Sequence, residues 1–326
     1  MAHLRDVLEA RQVGLYFAAM LVGALAATAL PGTMRLEAAL TPALAVMLFA
    51  TFLQVPLSEL GRSFAHRRFL LALGVANFVL VPLLVAALLQ LVPDEPLVRL
   101  GVLLVLLSPC IDYVVTFAHL GRADARALLA ATPLLLVAQM ALLPVYLSLF
   151  LGRAAGDLIQ AAPFLHAFVW LIAVPLALAG ALQTVAARHT GTANVTAGLG
   201  LLPVPATALV LFVVVASVVP QLGAAGAASL RVVPVYLAFA LVAPVLGWLV
   251  GRRSCLTAAE ARAVAFSAAT RNSLVILPLA LAIPGAMPLL PAIIVAQTLV
   301  ELASELIYIR FFPRLGRDLD PPDERP

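Results

Sequence analysis

"LVRLGVLLVLLSPCIDYVVTFAHL", residues 97–120, decides how this chain is read. The run is long and apolar enough to cross a bilayer, which takes about 20 such residues. Yet Ser108, Pro109, Cys110 and Asp112 lie near its middle. Proline removes a backbone donor and crowds the preceding turn, so a helix through this stretch breaks at Ser108–Pro109. Broken backbone at that depth is tolerated only inside protein or beside a water-filled cavity. An aspartate at a helix centre costs about 2.5–3.5 kcal/mol on insertion scales, so Asp112 must face inward as well.

The rest of the chain has the same character. Hydrophobic residues make up 63% of 326 and charged residues 11%, with a mean hydropathy of +1.09. A soluble domain carries roughly 25% charge, so this is an integral membrane protein. Ten apolar segments predict ten spanning helices in an all-α polytopic fold: about 12–30, 38–57, 69–92, 97–119, 126–151, 161–186, 199–219, 231–250, 258–283 and 287–310. The first run is read as a spanning segment rather than a signal peptide, because nine more follow it. Two cysteines in different settings, Cys110 and Cys255, imply no disulfide framework.

All 20 basic residues are arginine. Fifteen fall on the side of the N-terminus, four on the opposite side, and Arg271 lies within a span. The positive-inside rule then puts both termini in the cytoplasm, and abundant Ala, Arg and Leu with no lysine point to a GC-rich bacterial genome and hence a bacterial inner membrane. A basic balance built from loop arginines is a topology signal and points to no nucleic-acid partner; the lipid bilayer is the partner expected.

"PALAVMLF" at 42–49 and "PATALVLF" at 205–212 share five of eight positions, at an offset equal to half the chain. With five segments per half, the second half enters the membrane upside down. This predicts two inverted five-helix repeats, about 12–151 and 161–310, in a single transporter unit spanning 1–326, with the substrate site near the midplane. The same offset carries Cys110 to Ser273, in "FSAATRNSLVILPLAL", residues 266–281. The ninth segment therefore holds a second mid-span polar cluster, Ser267, Thr270, Arg271, Asn272 and Ser273, and is expected to break and cross the fourth.

Other polar groups lie at depth. Gln297, Glu301 and Glu305 recur every four residues along the tenth segment. Glu301 is the functional candidate; Glu305 is close enough to the end of the segment to snorkel or pair with Arg310. Asn77 and Gln139 suit interhelical hydrogen bonds. Asp112 and Arg271 are expected to face inward, and to pair with one another. The substrate and ion pathway is thus assigned to Cys110, Asp112, Arg271, Asn272, Ser273 and Glu301, supported by Ser108, Pro109, Asn77, Gln139, Thr270 and Gln297. No metal site or cofactor is expected. H-E-x-x-H, P-loop and G-x-S-x-G patterns do not occur, which argues against an enzyme.

At "SPCIDYVVTFAHLGRAD" the chain resembles the arsenical-resistance permeases, the arsenite-efflux branch of the bile acid:sodium symporter superfamily. Cys110 and Asp124 match those permeases' cysteine and following acidic residue. "NFVLVPLL", "FSAATRNS" and "LVEL" around Glu301 resemble further family motifs, with Asn272 matching an asparagine. The resemblance implies a panel of segments 1, 2, 6 and 7 and a core of segments 3–5 and 8–10. It also implies arsenite efflux driven by inward proton movement, with Cys110 as the soft ligand for trivalent arsenic. Two departures qualify it: Leu274 stands where the permeases carry a glutamate, and Arg271 replaces an asparagine. Either Asp112 has taken the carboxylate's role, or the cargo is different and anionic. The alternative to arsenite efflux is a sodium-coupled organic-anion symporter, so the coupling ion is proton or sodium.

Overall fold

In a bilayer every backbone N–H and C=O must find its partner inside the segment, which is why long Leu-, Ala- and Val-rich runs become helices. The computed structural model describes residues 2–54, 66–111, 113–152, 166, 168–186, 198–221 and 223–316. The α-helices in chain order are α1 (Ala2–Ala29), α2 (Leu40–Phe52), α3 (Arg67–Val75), α4 (Val81–Leu88), α5 (Pro96–Leu106), α6 (Val114–Leu120) and α7 (Ala125–Leu151). They continue as α8 (Val174–Ala186), α9 (Pro203–Val218), α10 (Gly223–Arg231), α11 (Val233–Arg253), α12 (Ala258–Ala269), α13 (Ser273–Leu281) and α14 (Leu289–Phe311).

The expectation of ten spanning helices in two inverted repeats is overturned. Among the described residues seven helical stretches are long and apolar enough to cross a membrane: Arg11–Ala29, Thr33–Phe52, Arg67–Leu91, Ala125–Leu151, Pro203–Gln221, Gly226–Arg253 and Leu289–Arg314. Two of the other three segments are divided. Segment 97–119 is divided between α5 and α6, and 258–283 between α12 and α13. Segment 161–186 contributes the 13-residue α8 after a π-turn at Val169–Ala173, while 161–165 lies outside the described residues. The five-plus-five count goes with it.

The chain divides into two compact units. The first comprises residues 1–55, 158–228 and 274–295. Here α1 packs along α9, and α8 packs on α2. Gln183 Nε2 ties α8 to the end of α2 by donating to Phe52 O and Leu53 O at 3.2 and 3.1 Å.

The second unit comprises 56–157, 229–273 and 296–326. Its most extensive contact is α11 on α12. The reason is legible in "GWLVG", residues 247–251: glycines four apart present bare backbone along one helix face, as in close-packed membrane helix pairs. A Cβ at Gly247 would lie 2.7 Å from Val264 O and 2.8 Å from Ala265 Cα, and one at Gly251 2.7 Å from Ala261 Cα. The starts of α12 and α7 are capped and tied to one another. Thr257 and Glu260 form a capping box at the start of α12. Asp124 caps α7 by accepting from Ala127 N–H, while its own N–H donates to Ala259 O. Asp124 thus has a structural task beside the break rather than within it.

Gly247→Val inserts two methyls where backbone already touches backbone, at a cost of about 1–3 kcal/mol. Thermal unfolding of the purified protein in detergent is expected to show a lower midpoint for this variant. A wild-type midpoint would contradict the packing described.

Candidate functional site

Two interruptions of helical hydrogen bonding meet inside the second unit. α5 ends at Leu106, and residues 107–111 and 113 are non-helical. α12 ends at Ala269, and Thr270–Asn272 are extended or irregular. Pro109 and Arg271 form an isolated antiparallel bridge. Cys110 N–H donates to Thr270 O at 3.1 Å, and Asn272 N–H donates to Ser108 O at 2.8 Å. Each break supplies the backbone partner that the other lacks, which is the only way such groups survive far from water.

Arg271 holds the crossing. Its side chain is fully buried. The two hydrogens of Nη2 are shared among Asn77 Oδ1 at 2.8 Å, Ala268 O at 2.8 Å and Ser267 O, while Nη1 lies 3.4 Å from Leu106 O. Three of these four oxygens are carbonyls in the last turn of α5 or α12. Helix C-termini carry about half a negative charge each, so a guanidinium there satisfies orphan carbonyls and two dipoles together. The Phe239 ring covers it from α11, its centroid 5.5 Å from Cζ.

Asn77 reaches this cluster because α3 and α4 are joined by a π-turn, Ala76–Leu80. Such one-residue expansions re-aim side chains and recur at functional sites. Its Nδ2 donates to Ser267 Oγ at 2.9 Å and to Leu73 O at 3.1 Å, leaving Oδ1 for Arg271. Since both nitrogen contacts are with acceptors, the amide orientation is determined.

α14 brings the carboxylates. Glu301 Oε2 accepts from Arg271 N–H at 2.7 Å and from Gln297 Nε2 at 2.6 Å. Glu301 Oε1 accepts from Tyr113 Oη at 2.5 Å. Glu301 therefore answers the backbone of Arg271 rather than its guanidinium. One turn on, Glu305 is fully buried, with Oε1 2.5 Å from Thr270 Oγ1. The expectation that Glu305 snorkels toward Arg310 fails, because α14 turns this side chain onto the second break. Ser273 Oγ accepts from Thr298 Oγ1 at 3.0 Å, adding another link from α14 to the break. A cavity of about 10 Å³, room for roughly one water-sized species, lies beside Glu301, lined also by Tyr236, Phe239, Gln297, Ser304 and Tyr308.

The structure thus gathers Asn77, Ser108, Pro109, Cys110, Thr270, Arg271, Asn272, Ser273, Gln297 and Glu301 into one buried cluster. Asp112 lies outside the described residues, and with it the expected pairing with Arg271. Gln139 is buried, but neither end of its amide has a hydrogen-bond partner among the described residues. Tyr113 and Thr298 join the cluster without a signal in the sequence beyond a hydroxyl near each break, and Ser267, part of the expected polar cluster, takes its role as the partner of Asn77. His119 is exposed at the end of α6 and Cys255 is exposed in a loop, both away from the cluster.

A sequence profile described as the Sodium Bile acid symporter family matches residues 41–225, more than half of the chain. That stretch contains Asn77 and the first break; the second break and α14 lie beyond it. No curated protein matches the sequence.

Asn77→Leu leaves a buried guanidinium and Ser267 short of partners, at about 1–3 kcal/mol. Gln139→Leu removes a buried amide that makes no such bond and is expected to be neutral or stabilising. The Asn77→Leu melting curve should therefore fall below that of the wild type, and the Gln139→Leu curve at or above it. Equal destabilisation would contradict the assignment of partners.

Proposed function

The chain belongs to the sodium bile acid symporter family, and we propose that it carries a small organic anion across the membrane together with sodium. As a member of a transporter family it is a carrier rather than an enzyme. The observation that carries the sodium reading is the cavity beside Glu301. Gln297 Nε2 faces the Glu301 carboxylate, which turns Oε1 of the same amide away from it. That oxygen and the Tyr236 hydroxyl are buried and have no hydrogen-bond partner among the described residues. Amide, phenol and carboxylate oxygens around a water-sized space suit a hard monovalent cation.

Charge balance supports the same reading. The Nη1 and Nη2 ends of the Arg271 guanidinium are engaged by protein oxygens, so only its Nε–H, which has no hydrogen-bond partner among the described residues, is left for an anionic cargo. A cation that travels with the cargo supplies the missing charge. Arsenite efflux, implied by the resemblance, relies on Cys110 as its soft ligand. That residue is fully buried at the crossing, whereas a reactive thiol needs access.

The panel of segments 1, 2, 6 and 7 is retained as part of this reading. It is supported by the first compact unit, which gathers α1, α2, α8 and α9 together with residues 274–295. The excess of arginine on the N-terminal side supports a cytoplasmic location for those loops in a bacterial inner membrane.

Uptake of a radiolabelled bile acid into proteoliposomes tests the proposal, with arsenite measured in parallel. Uptake is expected under an inward sodium gradient and not under an equal potassium gradient. Each tenfold sodium gradient contributes about 1.4 kcal/mol per ion to accumulation. Glu301→Gln is expected to raise the sodium concentration for half-maximal uptake by about tenfold or more. Sodium-independent arsenite flux with no bile acid flux would replace this reading with the arsenical one.

A further inference from the structure

Thr270 has one hydroxyl hydrogen and two oxygens at hydrogen-bonding distance. Its Oγ1 lies 2.7 Å from Phe266 O and 2.5 Å from Glu305 Oε1. Oxygen pairs joined by a hydrogen bond sit at about 2.5–3.0 Å. A hydroxyl donates once and otherwise accepts. Phe266 O is a carbonyl and cannot donate, so the hydroxyl hydrogen goes to it, the usual back-bond of a threonine to the residue four earlier. The contact with Glu305 then needs a hydrogen of its own, which only the carboxyl can hold. The reverse assignment would press two lone-pair oxygens together at 2.7 Å.

We infer that Glu305 is a proton-binding site: it holds a proton here and donates it to Thr270 Oγ1 at the second helix break. Its surroundings agree. The side chain is fully buried, and Oε2 has no hydrogen-bond partner among the described residues. An ionised carboxylate so placed would be poorly compensated. Glu301, one turn away, is the opposite case. It receives three donors, and the second contact of its Tyr113 donor, to Arg271 O, is 3.3 Å and beyond the range, so one hydrogen suffices there. The titratable groups that act on Glu305 among the described residues are Glu301 and Tyr308, both on α14, with the Thr270 hydroxyl facing it from the second break; Asp112 lies outside the described residues. With Glu305 neutral, the Glu301 carboxylate and the Arg271 guanidinium balance one another.

Loss of this proton to water would make Glu305 compete with Phe266 O for the Thr270 hydrogen. The last turn of α12 would loosen where Ser267 and Ala268 hold Arg271. Proton binding at α14 and the integrity of the crossing are thereby linked. The consequence for flux rests on the transport reading; the proton itself does not.

The test is infrared spectroscopy of the purified protein in lipid at neutral pH. Wild type should show the C=O stretch of a protonated carboxylic acid, and Glu305→Gln should lose it while keeping the wild-type fold, since a glutamine amide donates to Thr270 Oγ1 as the acid does. Thr270→Val removes the acid's partner and should shift the same band. If sodium-driven uptake is present, Glu305→Gln should abolish its response to alkaline pH. A spectrum unchanged by Glu305→Gln overturns the inference whether or not transport is found. Should that variant fail to fold, an unshifted band in Thr270→Val overturns it equally.

Discussion

A guanidinium buried among four oxygens is the interaction on which the second unit depends. Moving an ion into a medium of low dielectric costs on the order of 20 kcal/mol in the idealised limit and several kcal/mol after relaxation. Carbonyls at a helix end, cut off from water, carry their own penalty. Neither would be stable alone. Arg271 and the ends of α5 and α12 satisfy one another through Leu106 O, Ser267 O and Ala268 O, with Asn77 Oδ1 completing the set. Two helices can therefore stop in the middle of apolar protein, and their broken strands pair through Cys110 N–H and Asn272 N–H.

Function follows from what this arrangement leaves free. The hydrogen-bonded ends of Arg271 face the protein, so the polar capacity for a transported species lies elsewhere. α14 supplies it, with Gln297, Glu301 and Glu305 on one face aimed at the breaks. Glu301 clamps the backbone of Arg271 and also lines the small cavity, so any ion bound there acts on the crossing directly. Glu305 acts on the same break through Thr270. Family membership adds the transport class, while the matched stretch stops short of α14.

Much of this was legible in residues 97–120 and 266–281. A proline in a long apolar run, and polar residues clustered at one depth, point to interrupted helices because each is costly in lipid. The number of spanning helices was not legible, since apolar content is indifferent to where the hydrogen-bond ladder stops. Segments 97–119 and 258–283 each count as one span by apolar content, although their mid-span polar residues mark a break, and each folds as a pair of shorter helices. Partner choice was hidden too. Arg271 invites a carboxylate by charge, but helix-end carbonyls lie within reach of the same side chain. Glu305 lies near enough to its segment's end to suggest snorkelling, yet its helix phase, shared with Glu301, turns it inward. Gln139 looked like an interhelical hydrogen-bonding residue and finds no such partner among the described residues. The π-turn that delivers Asn77 has no sequence signature of its own.

Hydrogen exchange at the two breaks addresses the claim that Arg271 holds the crossing. In wild-type protein in lipid, the amides of Cys110 and Asn272 should exchange as slowly as those in the middle of α11. In Arg271→Met they should exchange far faster, while α11 around Gly247 stays protected. Exchange at Cys110 and Asn272 as fast as in the 92–95 connection in wild type, or protection unchanged by Arg271→Met, would contradict the account.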